Sequence, residues 1–320
     1  MTRLGDLFAV SGFRLGWGTV RRLPERTAYT VFEQIADLTT ARGGTGVQRL
    51  RSNYAKVRPD LDDTALDALV REGMRSYLRY YCEAFRLPDR SPDEIAASVR
   101  VVGDGPVRAE LAAGRAVVCF LGHLGNWDLA GAWGTTAIAP VVTVAERLKP
   151  EEVYAEFLAF RESLGMTILP LTGGGDVFAQ LRGHLAAPVL MPLLADRDLT
   201  DRGIEVDLCG HRSKMAAGPA ALALGSGAAL HPVSIHYERL ERPSWKHRIV
   251  ITFHDRVTVP DTGTTRAKAV AMTQECADAL GAAIVEHTAD WHMLQRVFLD
   301  DLAPRPAVAA RADRPAGTWP

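Results

Sequence analysis

AVVCFLGHLGNWD, residues 116–128, decides how this chain is read. Six apolar residues in a row form a strand pattern suited to burial on both faces. Gly122 and Gly125 then permit a tight turn and a close approach of other groups. Residues 129–133, LAGAW, resume as the first turns of a helix. A strand, a glycine turn and a helix in that order are a unit of an α/β sheet. In such a sheet, functional groups collect beyond the carboxyl ends of the strands. His123 stands at such an end, and Asp128 falls in the first turn of the helix. The histidine is open to three readings: a base, a metal ligand or a satisfied structural residue. If the turn curls back, Asp128 reaches one ring nitrogen, fixes the tautomer and leaves the other nitrogen as a base. Asp128 also suits a helix N-terminus electrostatically, with no catalytic role.

The pattern extends outward on both sides. Further strands are expected over 141–145, 167–171, 189–194, 205–208, 230–236 and 248–253. Helices are expected over 126–135, 150–164, 175–185, 216–224, 264–286 and 289–299. Helices between apolar strands give crossovers, so the fold class is α/β, a mostly parallel or mixed sheet of about seven strands wrapped by helices. The last two strands lie close enough to pair antiparallel. The first hundred residues read as helices, over 27–38, 46–57 and a long one capped by Asp62 and running to 85. Leu4, Leu7, Phe8, Phe13, Leu15 and Trp17 alternate with Arg3, Arg14, Arg21 and Arg22. That mix suits either an interfacial helix or a helix packed on the body. One domain over 1–302 is expected, with a helical part at 1–100 and an α/β core at 101–302. The Pro-, Ala- and Arg-rich tail at 303–320 is expected to be disordered.

Lys plus Arg number 37 and Asp plus Glu 38, so no global basic field argues for a nucleic-acid partner. The four cysteines are scattered, with no C-x-x-C pair, as expected of reduced, buried thiols. No secretory signal is expected, because the apolar block in the first 24 residues is weak. No uncharged apolar stretch approaches the ~18 residues of a spanning helix. A location on a membrane surface stays open.

Two other strand ends carry charge. Glu146 and Arg147 follow 141–145; Asp196, Arg197 and Asp198 follow 189–194. Each could be a solvated turn, but three coincident strand ends favour one shared cleft. Arg161 sits on the helix at 150–164, just after its apolar stripe. No P-loop, G-x-G-x-x-G or metal-ligand histidine spacing is present.

GHLGNWD at 122–128, AERLKP at 145–150, FRESLG at 160–165, ADRDLT at 195–200 and WHMLQRVF at 291–298 occur in this order. Together they resemble the bacterial lipid A lauroyl/myristoyl acyltransferase family, over roughly residues 2–302. Within it the chain is similar to the phosphatidylinositol mannoside acyltransferases. The resemblance implies an enzyme at the cytoplasmic face of the plasma membrane, with an N-terminal helical part meeting an anionic membrane surface. It implies transfer of a long acyl chain, palmitoyl, from acyl-CoA to the 6-hydroxyl of the mannose on inositol position 2 of a phosphatidylinositol mannoside. Acyl-CoA is then a co-substrate and no cofactor is expected. His123 is implied as general base. Asp128 stands where lipid A enzymes carry glutamate, which moves the expected acceptor away from lipid A. A second acid orienting the histidine is implied; Asp196 and Asp198 both qualify.

Glu146 is expected to bind sugar hydroxyls and Arg161 to stabilise the developing oxyanion. Asn126, Trp127 and Arg197 complete the expected substrate contacts, and Trp127, Trp133 and Phe120 are candidate walls of an acyl groove. Arg21, Arg22, Arg147 and Lys149 are candidates for CoA phosphates or lipid heads. The rivals are a lysophospholipid or lipid A acyltransferase, a metal-dependent phosphoesterase using His123, Asp128, Asp196 and Asp198 as ligands, and a non-catalytic membrane-surface binding protein.

Overall fold

The computed structural model of the chain describes residues 18–302, apart from 147–150, 172–174, 199, 201 and 244. The aromatic segment at 1–17, Arg147, Lys149 and the tail at 303–320 therefore lie outside the described residues.

The helical part is α1 (Glu25–Arg42), α2 (Thr45–Val57), α3 (Asp63–Arg86) and the short α4 (Pro92–Ala97). All three helices expected before residue 86 are present, slightly longer than read. The Asp62 side chain accepts a hydrogen bond from the Ala65 backbone N–H and starts α3. A cap of that kind contributes about 1 kcal/mol. Leu66, Val70 and Met74 recur at helical spacing and are buried, so the apolar period of α3 faces the core.

The strands are β1 (Val99–Val102), β2 (Val117–Leu121), β3 (Val142–Ala145), β4 (Thr167–Pro170), β5 (Leu190–Leu194), β6 (Ile204–Leu208), β7 (His211–Met215), β8 (Ala229–Arg239) and β9 (His247–Phe253). Five make the main sheet, in the order β1-β9-β8-β2-β5. Only β8 and β9 pair antiparallel there; the other neighbours run parallel. Between the strands lie α5 (Gly105–Ala112), α6 (Trp127–Ala137), α7 (Glu151–Ser163), α8 (Val177–His184) and α9 (Gly218–Ser226), and α10 (Thr265–Glu286) follows β9.

β2 is an interior strand, between β8 and β5, and all five of its residues are buried. Its side chains alternate between the two faces, as the pleat requires. Val118 and Phe120 pack with residues of α9 and α10, whereas Val117, Cys119 and Leu121 pack with Leu129, Trp133 and Phe160 on α6 and α7. Leu121 is in register with Leu194 of β5 and Val233 of β8. The residues just beyond β2 and β5 are therefore neighbours in space, although 73 positions separate His123 from Asp196.

Four expectations need correction. The sheet is not one of about seven strands: β3–β4 and β6–β7 form separate two-stranded sheets beside the five. β1 crosses the end of the stretch read as helical, where no strand was expected; four residues, VRVV, are too few to show a period. β7, with the sequence HRSKM, buries only Ser213 and Met215, so its apolar signal is weak. It pairs with β6 through a two-residue turn in which Cys209 and Gly210 both have positive φ, 54° and 80°. Finally, 289–299 is not a helix. A 3₁₀ turn at Thr288–Asp290 leads into extended chain, bridged from Trp291 to Leu124 and from Phe298 to Ser213. Trp291, His292 and Met293 are buried consecutively, which one helix face does not do.

Candidate active site

The loop after β2 folds back over the end of β5. Asp196, fully buried, receives three hydrogen bonds: from the His123 backbone N–H at 2.9 Å, from Trp291 Nε1 at 3.0 Å, and from His123 Nδ1 at 2.6 Å. Gly122 makes this approach possible, because a Cβ there would lie 3.2 Å from Asp196 Oδ2 and 2.7 Å from Leu124 Cδ1. Gly125 holds φ +58°, where a Cβ would meet the Ile235 carbonyl oxygen at 2.7 Å. The strap at 291–298 closes the loop from the other side: the His292 backbone N–H donates to the His123 carbonyl at 2.8 Å.

With Nδ1 bound to a carboxylate, the neutral ring carries its proton on Nδ1 and its lone pair on Nε2. Burial pushes the His123 pKa down, but the charge and hydrogen bond of Asp196 outweigh it and the net direction is upward from 6.5. Asp196 is the mirror case. Burial alone would raise its carboxyl, yet the facing imidazole and its other donors leave it lowered. The His123 side chain keeps 36% of its surface exposed, so Nε2 is reachable.

Asp128 does not contact this pair. Arg161 Nε donates to its Oδ1 at 2.7 Å, a second guanidinium nitrogen reaches Oδ2 at 3.3 Å, and the Tyr80 hydroxyl donates to Oδ2 at 2.7 Å. The charge of Asp128 holds the Arg161 pKa above its ordinary value despite burial. The expectation that Asp128 grips the imidazole is corrected. The helix beginning at Trp127 turns the carboxylate away from the ring and towards α3 and α7. Arg161, which lines the cavity beside His123, is likewise paired with Asp128 rather than left as an unpaired cation. The alternative between Asp196 and Asp198 is resolved geometrically: Asp198 accepts from the Thr200 backbone N–H and braces its own loop.

The remaining expected residues divide. Glu146 is exposed and lines a cavity of about 200 Å³ with His123, Trp127, Tyr154 and Arg161. Asn126 is fully buried and does not reach that cavity's lining. Its Oδ1 caps α6 through the Leu129 N–H, and its Nδ2 donates to Glu83 at 2.8 Å. Glu83, 3% exposed, also accepts from the hydroxyls of Tyr29 and Tyr237. Arg197 is half-buried, and its charge bears on His123, disfavouring the protonated ring. Trp127, Arg161 and Leu194 are shared with a second, apolar cavity of about 90 Å³, walled by Cys119, Trp133, Met166, Ile251 and Phe253 among others. Trp133 thus lies where an apolar wall was expected; Phe120 points to the opposite face of the sheet. Arg21 is paired with Asp89.

Sequence reasoning missed Tyr80, Glu83, Tyr154 and a role for Trp291. The first two fall within the long helix expected to run to 85, and the function of each depends on what its helix crosses. A half-buried imidazole held by a buried carboxylate, with one open nitrogen, can take a proton from a hydroxyl. Cys119, the thiol nearest in sequence, is held protonated by burial and lines the apolar cavity instead.

The fold agrees with what comparison of the chain finds. The model of the bacterial lipid A biosynthesis acyltransferase family matches residues 7–300, and the chain belongs to that family; it is a lipid acyltransferase. Among individual relatives, it is 40% identical to the phosphatidylinositol mannoside acyltransferase of Mycolicibacterium smegmatis over 303 residues, 94% of each chain. It is 38% identical to the Mycobacterium tuberculosis protein of the same name over 294 residues, 91% of this chain and 89% of that one.

Proposed function

We propose that this chain transfers a long acyl group, palmitoyl, from acyl-CoA to the 6-hydroxyl of the mannose on inositol position 2 of a phosphatidylinositol mannoside. The acceptor class is taken from the names of the two mycobacterial relatives. One observation carries the chemistry: His123 Nδ1 is bound to buried Asp196 while the ring opens into a cavity through its other edge. His123 takes the proton of the mannose hydroxyl at Nε2 as that oxygen attacks the thioester carbonyl. Asp196 holds the tautomer and stabilises the imidazolium, which then protonates the departing CoA thiolate. A positioned base of this kind is worth about 10²–10⁴ in rate. Glu146, exposed beside His123, binds sugar hydroxyls, and the apolar cavity receives part of the acyl chain.

The reaction takes place at the cytoplasmic membrane surface. Val31, Ile35 and Leu38 support this reading: all three are exposed on one face of α1, with Arg26 and Arg42 exposed on the same helix. No described helix is long and apolar enough to cross a membrane. A lysophospholipid or lipid A acceptor is the rival within acyl transfer. The phosphoesterase reading needs His123, Asp128, Asp196 and Asp198 to converge, and Asp128 and Asp198 turn elsewhere.

The test is transfer of radiolabelled palmitate from palmitoyl-CoA to phosphatidylinositol mono- and dimannoside, with chelator present. Product from the wild type and none from His123→Ala is the expected result. Equal product from both would overturn the base assignment. Product only on lysophospholipid would overturn the acceptor.

A further inference from the structure

Six buried side-chain polar atoms among the described residues have no hydrogen-bond partner. Four are imidazole nitrogens, of His231, His236, His247 and His292. Burial pushes all four rings towards neutrality, so each can present a lone pair there and strand no donor. The other two are Trp127 Nε1 and the Tyr154 hydroxyl. An indole N–H is only a donor, and a phenol always carries its hydrogen. Both residues line the cavity that holds His123. Tyr154 is 7% exposed, so water does not readily serve it. Buried donors are normally paired, and two unpaired donors on residues that line one cavity call for a ligand acceptor.

The chemistry supplies one. When the acceptor oxygen bonds to the thioester carbon, the C=O pair moves onto the carbonyl oxygen, and the hydroxyl proton passes to His123 Nε2. The C–S bond then breaks as the oxyanion collapses, and the thiolate recovers that proton. Arg161, the cation expected to meet this charge, already carries Asp128. Trp127 lines both the His123 cavity and the apolar cavity, the junction where the head of an acyl chain would lie.

We propose that Trp127 Nε1–H and the Tyr154 O–H donate to the carbonyl oxygen of the acyl thioester and hold it as it becomes an oxyanion. The inference rests on acyl transfer as the reaction. Tyr154→Phe keeps the ring and removes only the hydroxyl. The expected result is a kcat lower by ~10²-fold, the usual loss for one oxyanion donor, with KM for both substrates and the melting temperature unchanged. Replacing Trp127 by 3-benzothienylalanine, which exchanges the N–H for sulfur, is expected to lower kcat in the same way. An unchanged kcat in both variants would overturn the proposal. So would a raised KM at constant kcat, which marks uniform binding of a sugar hydroxyl, or a fall in melting temperature that accounts for the lost rate. A wild-type protein that transfers acyl chains to no acceptor would remove the acyl-transfer reading itself, and this assignment with it.

Discussion

Two buried aspartates stand near the end of β2, and the protein treats them differently. Asp128 is 2% exposed and faces Arg161, a cation that does not titrate in the working range; Tyr80 adds a third hydrogen bond. Asp196 is fully buried and faces His123, whose charge changes with pH, with Trp291 and a backbone N–H as neutral support. A carboxylate paired with a permanent cation is electrically closed and can only tie elements together. One paired with an imidazole transmits its charge to a proton-accepting nitrogen. Asp128 therefore clamps α3, α6 and α7, while Asp196 tunes the base.

The largest effect that separates the two is on rate. Asp196→Asn should lower kcat/KM for acyl transfer by ~10³–10⁴-fold, because the amide no longer fixes the Nδ1–H tautomer. Circular dichroism should show the fold retained, and a loss below tenfold would break the distinction. Next comes stability. Arg161→Ala strands the Asp128 carboxylate in the interior and should destabilise the protein by about 3–5 kcal/mol in urea unfolding. If the folded fraction is restored by a lower temperature, activity should recover. A rate loss that persists in fully folded protein would give this pair a chemical role.

Trp291→Phe removes one hydrogen bond to the Asp196 charge. Loss of about 1.5–3 kcal/mol in stability is expected, with a further contribution from the smaller ring. The rate should fall far less than in Asp196→Asn.

The smallest effect is pH dependence. His123 has a raised pKa, so its pairing stabilises the fold fully below 6.5, and that contribution is lost as pH rises through the raised value. Asp196 is lowered, so its contribution is present above 3.8 and lost as pH falls through its folded value. The melting-temperature gap between wild type and Asp196→Asn should thus be widest between pH 3.8 and 6.5 and narrow above it. In wild type, the acid limb of kcat/KM should fall at a pH above 6.5.

The same two aspartates show what the sequence could reveal. His123 was legible because an apolar run ends in a glycine turn, and strand ends are where such groups gather. Asp128 was tempting as its partner because it is five residues away. Local spacing does not record which way the first turn of α6 rotates a side chain. Asp196 was visible as a charge after another strand and as one of two candidates for the acid that orients the histidine. Its match to His123 follows from β2 lying beside β5 in register, a non-local fact. Tyr80, Glu83 and Ser76 all project from α3 to site loops, and each read as part of a helix; which loop each one meets depends on how α3 lies across the sheet. The strap at 291–298 has helix-like apolar content, yet Trp291, His292 and Met293 are buried in succession while Gln295 and Arg296 are exposed, so periodicity misread it.

The measurement that tests this division most directly is nitrogen-edited NMR of the His123 imidazole across pH, in wild type, Asp196→Asn and Asp128→Asn. The account predicts an Nδ1–H tautomer with a pKa above 6.5 in wild type. In Asp196→Asn the tautomer preference should be lost and the pKa should fall, since burial then acts unopposed; in Asp128→Asn both should stay as in wild type. A His123 titration that moves with Asp128→Asn and ignores Asp196→Asn would contradict it.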